Sequence, residues 1–208
     1  MLNIAVMVSG GGTNLQALID AQQRGRLENG RIVCVISNKE GVGALDRAAK
    51  AGIPSLLWLK KDYPDEQSRD DALVAMLEEY HIDLVVLAGF LSILSKGVTE
   101  RYRNRIINIH PALIPSFCGK GMYGLHVHEA VLAAGVKVTG ATVHFVNEIT
   151  DGGAIILQKA VDVHEGDTPE ELQLRVMQQA EWLLLPYAVR MYCDGRIVVD
   201  GNHAYIKE

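Results

Sequence analysis

The chain has 208 residues, 49% hydrophobic and 22% charged, the balance of a globular protein able to bury a substantial core. Its net charge of −5 speaks against a nucleic-acid partner, because phosphate backbones require clustered Lys and Arg. Three isolated cysteines, an opening without the basic segment of a secretory signal, and no apolar run near the ~20 residues of a membrane span point to the cytoplasm and to no membrane partner.

Apolar runs of strand length alternate with segments of helical period. Leu2–Val8 reads as a buried strand, Asn14–Arg24 as a helix, Arg31–Ser37 as a strand and Gly43–Ala51 as a helix. Pro54–Leu59 follows as a third strand, Glu66–Tyr80 as a helix with Leu73, Met76 and Leu77 on one face, and Asp83–Ala88 as a fourth strand. Near-continuous Val, Ile and Leu runs suit parallel strands covered on both faces, so the order predicts an α/β fold, an open, twisted, mostly parallel sheet with helices on both faces. The second half is less regular. Arg105–His110 reads as a strand, Pro111–Gly124 as a Gly- and Pro-rich loop, and Leu125–Ala134 as a short helix. Lys137–Val146 and Ala154–Val161 read as strands. Thr168–Cys193 reads as a long helix opened by a capping box of Thr168, Pro169 and Glu171, with Pro186 expected to kink or break it. Arg196–Ile206 closes as a hairpin around Asp200–Gly201. The simplest organisation is one domain over 1–208 with two lobes joined near residue 100.

Three segments carry chemistry. Ser9-Gly10-Gly11-Gly12-Thr13-Asn14 joins the first strand to the first helix, where glycines let backbone N–H groups approach a ligand and a helix N-terminus favours an anion. It is neither a Walker A loop nor a dinucleotide fingerprint. A tight turn capped by Thr13 would fit the same residues. In Ile107-Asn108-Ile109-His110-Pro111, strand alternation puts Asn108 and His110 on one face, at the C-terminal edge where open α/β sheets bind ligands. An amide can donate to an oxyanion and an imidazole can move a proton near neutral pH. A satisfied polar pair closing a strand would look alike. Asn147 to Gly153 forms the third segment. Gly152 and Gly153 are expected at positive φ, holding Asp151 beside His110 and raising the imidazole pKa. A turn aspartate bonded to its own backbone has the same signature.

Together with Leu87-Ala88-Gly89-Phe90-Leu91 and Thr142-Val143-His144-Phe145-Val146, these motifs resemble the folate-dependent formyltransferases almost end to end. The Asn-x-His pair with a downstream Asp-Gly-Gly carries the likeness, and the glycine loop points to the purine-synthesis branch. The resemblance implies transfer of the formyl group of 10-formyltetrahydrofolate to the amine of glycinamide ribonucleotide, through a tetrahedral intermediate. It implies that Asn108 and protonated His110 stabilise the oxyanion, that Asp151 keeps His110 charged, that Gly12, Thr13 and Asn14 hold the phosphate, and that Glu181 contacts the ribose. The folate would lie between Leu91, Ser92, Ile93 and Leu94 and the loop Asn147, Glu148, Ile149, Thr150 and Asp151, reaching Asn108. Ser92 stands where some members carry Arg. No metal is implied, and the assembly would be a monomer or a homodimer.

Two enzyme alternatives share this residue set. Formyltetrahydrofolate deformylase usually carries a further N-terminal domain, and methionyl-tRNA formyltransferase a C-terminal RNA-binding one. A nucleotide-binding module without turnover is the non-enzymatic alternative. His126 and His128 form a pair with no third metal ligand, and His144 reads as a satisfied sheet residue. The loop 111–124 is long enough to serve as a lid over the site or to be a surface insertion.

Overall fold

The computed structural model describes residues 1–207; Glu208, the last residue of the expected 1–208 domain, lies outside them. In chain order the elements are β1 (Leu2–Val8), α1 (Thr13–Gln23), β2 (Gly30–Ser37), α2 (Gly43–Lys50), β3 (Ser55–Leu57), α3 (Glu66–Glu79), β4 (Leu84–Leu87), α4 (Lys96–Arg101) and β5 (Ile106–His110). Then come α5 (Leu125–Ala133), β6 (Val138–Phe145), β7 (Ile155–Asp162), α6 (Pro169–Val176), α7 (Trp182–Cys193), β8 (Ile197–Asp200) and β9 (His203–Ile206).

The strands form one sheet in the order β3-β2-β1-β4-β5-β6-β7-β9-β8. From β3 to β5 every pairing is parallel; β6 then runs antiparallel to both β5 and β7. The chain winds outward from β1 in one direction and returns at β4 to wind in the other. The C-terminal ends of β1 and β4 therefore flank a switch point, where connections part and leave a crevice.

Alternation along β1 shows how the sheet is covered. Ile4, Val6 and Val8 join a core with Leu15 and Leu18 of α1, Ala44 of α2 and Leu185 and Val189 of α7. Ala5 and Met7 face the opposite layer, with Leu73 and Leu77 of α3 and Val98 of α4. Each such fully buried aliphatic side chain contributes about 1.5–3 kcal/mol relative to exposure.

Several expectations change. Helix α4 is absent from the sequence reading because Lys96–Arg101 is six residues long and contains Gly97, too short for a period to register; Ser95 caps it by accepting from the Val98 N–H. Strand β3 shrinks to Ser55–Leu57, since it pairs only with β2 at the sheet edge. Pro186 does not break its helix. The departure from α geometry lies just upstream, in a π-helical turn over Met177–Glu181. The proline ring crowds the carbonyl four residues back, that of Trp182, and the widened turn ends right before it. The Thr168 capping box forms as expected.

Candidate active site

A cleft of about 760 Å3 opens at the switch point. Its walls carry Gly10–Asn14 of the glycine loop, Leu91–Leu94, Asn108 and His110, Asn147–Asp151, and Glu181.

At one end, the loop leaves β1 and turns at Gly12, which has φ 75°. A Cβ there would stand 2.7 Å from Ala44, so both conformation and space demand glycine. Gly12 also takes the cap position of α1, and no side chain caps the helix, which removes the turn-capping role considered for Thr13. The Ala44 N–H donates to the Gly10 carbonyl (3.1 Å) and Arg47 Nε to the Gly11 carbonyl (2.8 Å), so the N-terminal turn of α2 buttresses the loop. Two helix N-termini thus meet here, a setting for an anion. Next to it, Asn14 Nδ2 donates to Glu181 Oε2 (2.5 Å), while Asn14 Oδ1 is buried without a partner among the described residues. Burial pushes Glu181 up to about 7, against the pull of the Asn14 amide. The π-helical turn is what carries Glu181 to this position.

At the other end stand Asn108, His110, His144 and Asp151. Antiparallel pairing sets Asn108 opposite His144 and His110 opposite Thr142. Asn108 Nδ2 donates to His144 Nε2 (3.1 Å), and His144 Nδ1 donates to the Phe145 carbonyl (2.7 Å). These two bonds assign His144 as the neutral Nδ1–H tautomer and fix the Asn108 amide, whose second N–H is left for a ligand. His110 Nε2 donates to the Phe117 carbonyl (2.8 Å). Asp151 Oδ2 lies 3.8 Å from His110 Nδ1 and Oδ1 lies 3.7 Å from His144 Nε2, ion-pair distances rather than hydrogen bonds.

The expected charge on His110 is corrected. Burial lowers its pKa, and Asp151 and the Phe117 carbonyl only partly oppose that, while His144 adds to it. The imidazole is therefore neutral at pH 7 in this state. Asp151 behaves differently. Burial would raise its pKa, but His144, the Gly119 N–H (2.8 Å to Oδ2) and His110 together hold it low.

The turn that presents Asp151 is also corrected. Asp151 itself adopts positive φ (56°), while Gly152 and Gly153 do not. The glycines serve close approach: a Cβ on Gly153 would lie 1.9 Å from the Phe145 carbonyl oxygen, and one on Gly152 would lie 2.6 Å from Ile149.

His144 is a strand residue whose place between Asn108 and Asp151 follows only from the β5–β6 register. The loop 111–124 was likewise ambiguous. It seats on the site through Phe117 and Gly119, and Thr142 Oγ1 anchors its start by donating to the Ala112 carbonyl (2.6 Å). Between the ends, Leu91, Ile93 and Ile149 are exposed apolar side chains on the cleft walls. Ser92 Oγ accepts from Asn38 Nδ2 (2.7 Å). Arg69 stacks on Trp58, 3.8 Å from the ring centre.

His126 and His128 part. His126 pairs with Glu129 at the surface, whereas the ring nitrogens of His128 are buried without partners among the described residues, and burial, then nearby His110, push it down to about 4. Among the described residues no group of three or more His, Cys, Asp or Glu is placed to hold a metal, and no helix is long and apolar enough to cross a membrane.

The sequence of residues 2–189 matches the formyl transferase family. The chain is 40% identical over 206 residues to a phosphoribosylglycinamide formyltransferase of Haemophilus influenzae, covering 99% of this chain and 94% of that protein. It superimposes on glycinamide ribonucleotide transformylase 1 from Symbiobacterium toebii with a TM-score of 0.93 at 41% identity, covering 100% and 95% of the two chains. A formyltetrahydrofolate deformylase from Pseudomonas syringae superimposes with a TM-score of 0.88 at 26% identity, and this chain covers 66% of it.

The chain therefore belongs to the formyl transferase family. Within that family it belongs with the phosphoribosylglycinamide formyltransferases, transferases of purine biosynthesis that take formyltetrahydrofolate as co-substrate.

Proposed function

We propose that the two ends of the cleft divide the work of formylating glycinamide ribonucleotide with 10-formyltetrahydrofolate. The observation that carries this reading is that one cleft of about 760 Å3 is lined by both the glycine loop and Asn108, His110 and Asp151. Gly12, Thr13 and Asn14 hold the phosphate. Glu181, with the orphaned Asn14 Oδ1, accepts from the ribose hydroxyls. The folate lies between Leu91–Leu94 and Asn147–Asp151, with apolar side chains covering its rings.

The acceptor amine attacks the formyl carbon, and the carbonyl π electrons move onto oxygen. The free N–H of Asn108 stabilises that oxyanion, at an angle set by His144. The nitrogen that attacked now carries a positive charge and a proton to lose. Neutral His110 takes it, and the charged ring, stabilised by Asp151, delivers a proton to the folate nitrogen as its bond to carbon breaks. The Phe117 carbonyl occupies His110 Nε2 in the closed loop, so the loop 111–124 acts as a lid that shifts to admit ligands. The chain works as one cytoplasmic domain, an N-terminal phosphate lobe to about residue 100 and a C-terminal catalytic and folate lobe beyond it, as a monomer or a homodimer.

Folate release from 10-formyltetrahydrofolate, followed with and without glycinamide ribonucleotide, tests the reading. Release only in its presence is the expected result. Release without it would identify a deformylase, and no release in either case would leave a binding module.

A further inference from the structure

A second cavity, of about 650 Å3, lies beside α1 and outside the chemistry just described. Helix spacing builds it. Gln16 and Asp20 of α1, and Arg24 just past its end, recur every four residues, and Trp182, Pro186 and Arg190 do the same on α7, so two helices present stripes to one groove.

Its charge is inverted relative to the chain. Four arginines line it, Arg24, Arg26, Arg47 and Arg190, against one carboxylate, Asp20, in a protein of net charge −5. Asp20 lies 3.8 Å from Arg24 and accepts from Gln16 Nε2. Arg26 has no ion-pair partner among the described residues. Trp182 Nε1 is buried without a hydrogen-bond partner among the described residues, and Arg190 Nε lies 4.0 Å from Asp194 Oδ2.

The other wall is aromatic and apolar. Tyr187 and Leu183 are half-exposed there, and the Arg190 guanidinium sits 5.5 Å from the Tyr187 ring centre. Guanidinium forks match phosphate oxygens, and aromatic faces take planar rings. A volume of this size accommodates a drug-sized ligand.

We propose that this groove binds a nucleoside monophosphate, its phosphate against Arg24 and Arg26 and its base against Tyr187 and Trp182. The site is separate from the cleft; only its effect on the ribonucleotide and the choice of ligand that fills the cleft in its test rest on the reading of the cleft. It adjoins it, because Thr13 lines both cavities and Arg47 also donates to the Gly11 carbonyl. A ligand drawing on Arg47 would loosen the glycine loop and raise the KM for the ribonucleotide.

Calorimetric titration with AMP tests the site, in protein saturated with glycinamide ribonucleotide to fill the cleft. Binding is expected to persist, to exceed that of adenosine and of inorganic phosphate, and to weaken tenfold or more in the double variant Arg24→Ala, Arg26→Ala. Both arginines are exposed at the end of α1, so the fold is expected to survive. Tyr187→Ala should weaken AMP without altering the affinity for inorganic phosphate. Loss of AMP binding on saturation would place AMP in the cleft and overturn the proposal. So would unchanged affinity in the double variant, or inorganic phosphate binding as tightly as AMP.

Discussion

Glu181 and Asp151 are both carboxylates at walls of the same cleft, and both are largely removed from water, Glu181 with 6% of its surface exposed and the Asp151 side chain with 10%. Their acidities move in opposite directions. Glu181 meets one amide donor and is pushed up to about 7. Asp151 meets a backbone N–H and two imidazoles and is held below its ordinary value. Burial disfavours the charged form in both places; at Glu181 it outweighs the single Asn14 amide, whereas at Asp151 the combined influence of His144, the Gly119 N–H and His110 outweighs it. The acceptor end is therefore tuned to gain and lose a proton near neutrality, and the reaction end to keep a fixed negative charge.

The comparison breaks most visibly at the reaction end. His110→Ala should lower kcat by about 10²–10⁴-fold, the usual worth of a positioned acid–base group, with little change in the KM for the ribonucleotide. Steady-state kinetics on both substrates checks this, and a KM effect alone would move His110 to a binding role. The next effect belongs to Glu181. Its folded pKa of about 7 exceeds its ordinary value of 4.5. Between those values the folded chain holds a proton that the unfolded chain has released, so stability falls as pH rises through that window. The shift corresponds to about 3 kcal/mol at full development. Urea unfolding at pH 4.5 and pH 7.5 should show this decline in the native sequence and a flatter profile in Glu181→Gln. An unchanged profile would mean that Glu181 is charged in the folded protein at pH 7.5 without cost.

The two ends were not equally legible in the sequence. The glycine loop declares itself, because it sits between a seven-residue apolar strand and a helix, and the fold of that half follows from local patterns. Gly12 also shows why glycine is needed, in φ and in the approach of Ala44. At the reaction end, alternation placed Asn108 and His110 together, but pairing across strands is not local. His144 lies 36 positions from Asn108, and only the β5–β6 register makes them partners. The protonation of His110 is hidden from the sequence for a related reason. The sequence shows the carboxylate that raises its pKa but not the burial that lowers it. Glu181 was placed by resemblance, and the π-helical turn that carries it has no pattern that periodicity would reveal.

Two smaller effects test how far the reaction end acts as a unit. Asp151→Asn removes the charge that partly offsets burial at His110, so the His110 pKa should fall further, as read from its imidazole signals in an NMR titration. The same variant should also lose an acid-side contribution. With its folded pKa lowered, Asp151 stabilises the fold above its ordinary value of 3.8, and that contribution disappears as pH falls through the folded value. An unmoved His110 pKa would show that 3.8 Å is too far for coupling in this setting.

The smallest effect is expected at His144, which touches no reacting atom in the proposed mechanism and acts through Asn108. Its Nε2 accepts one N–H of the amide, so replacing the ring leaves Asn108 in place but free to turn. One such hydrogen bond contributes about 1 kcal/mol, which predicts a drop in kcat of roughly tenfold or less in His144→Phe, a substitution that keeps the buried ring volume. His144→Gln retains an acceptor and should recover part of that loss, with KM values unchanged in both. Recovery by Gln would assign His144 to orienting the amide. Equal losses in both variants would shift its role to the charge balance around Asp151, whose Oδ1 lies 3.7 Å away.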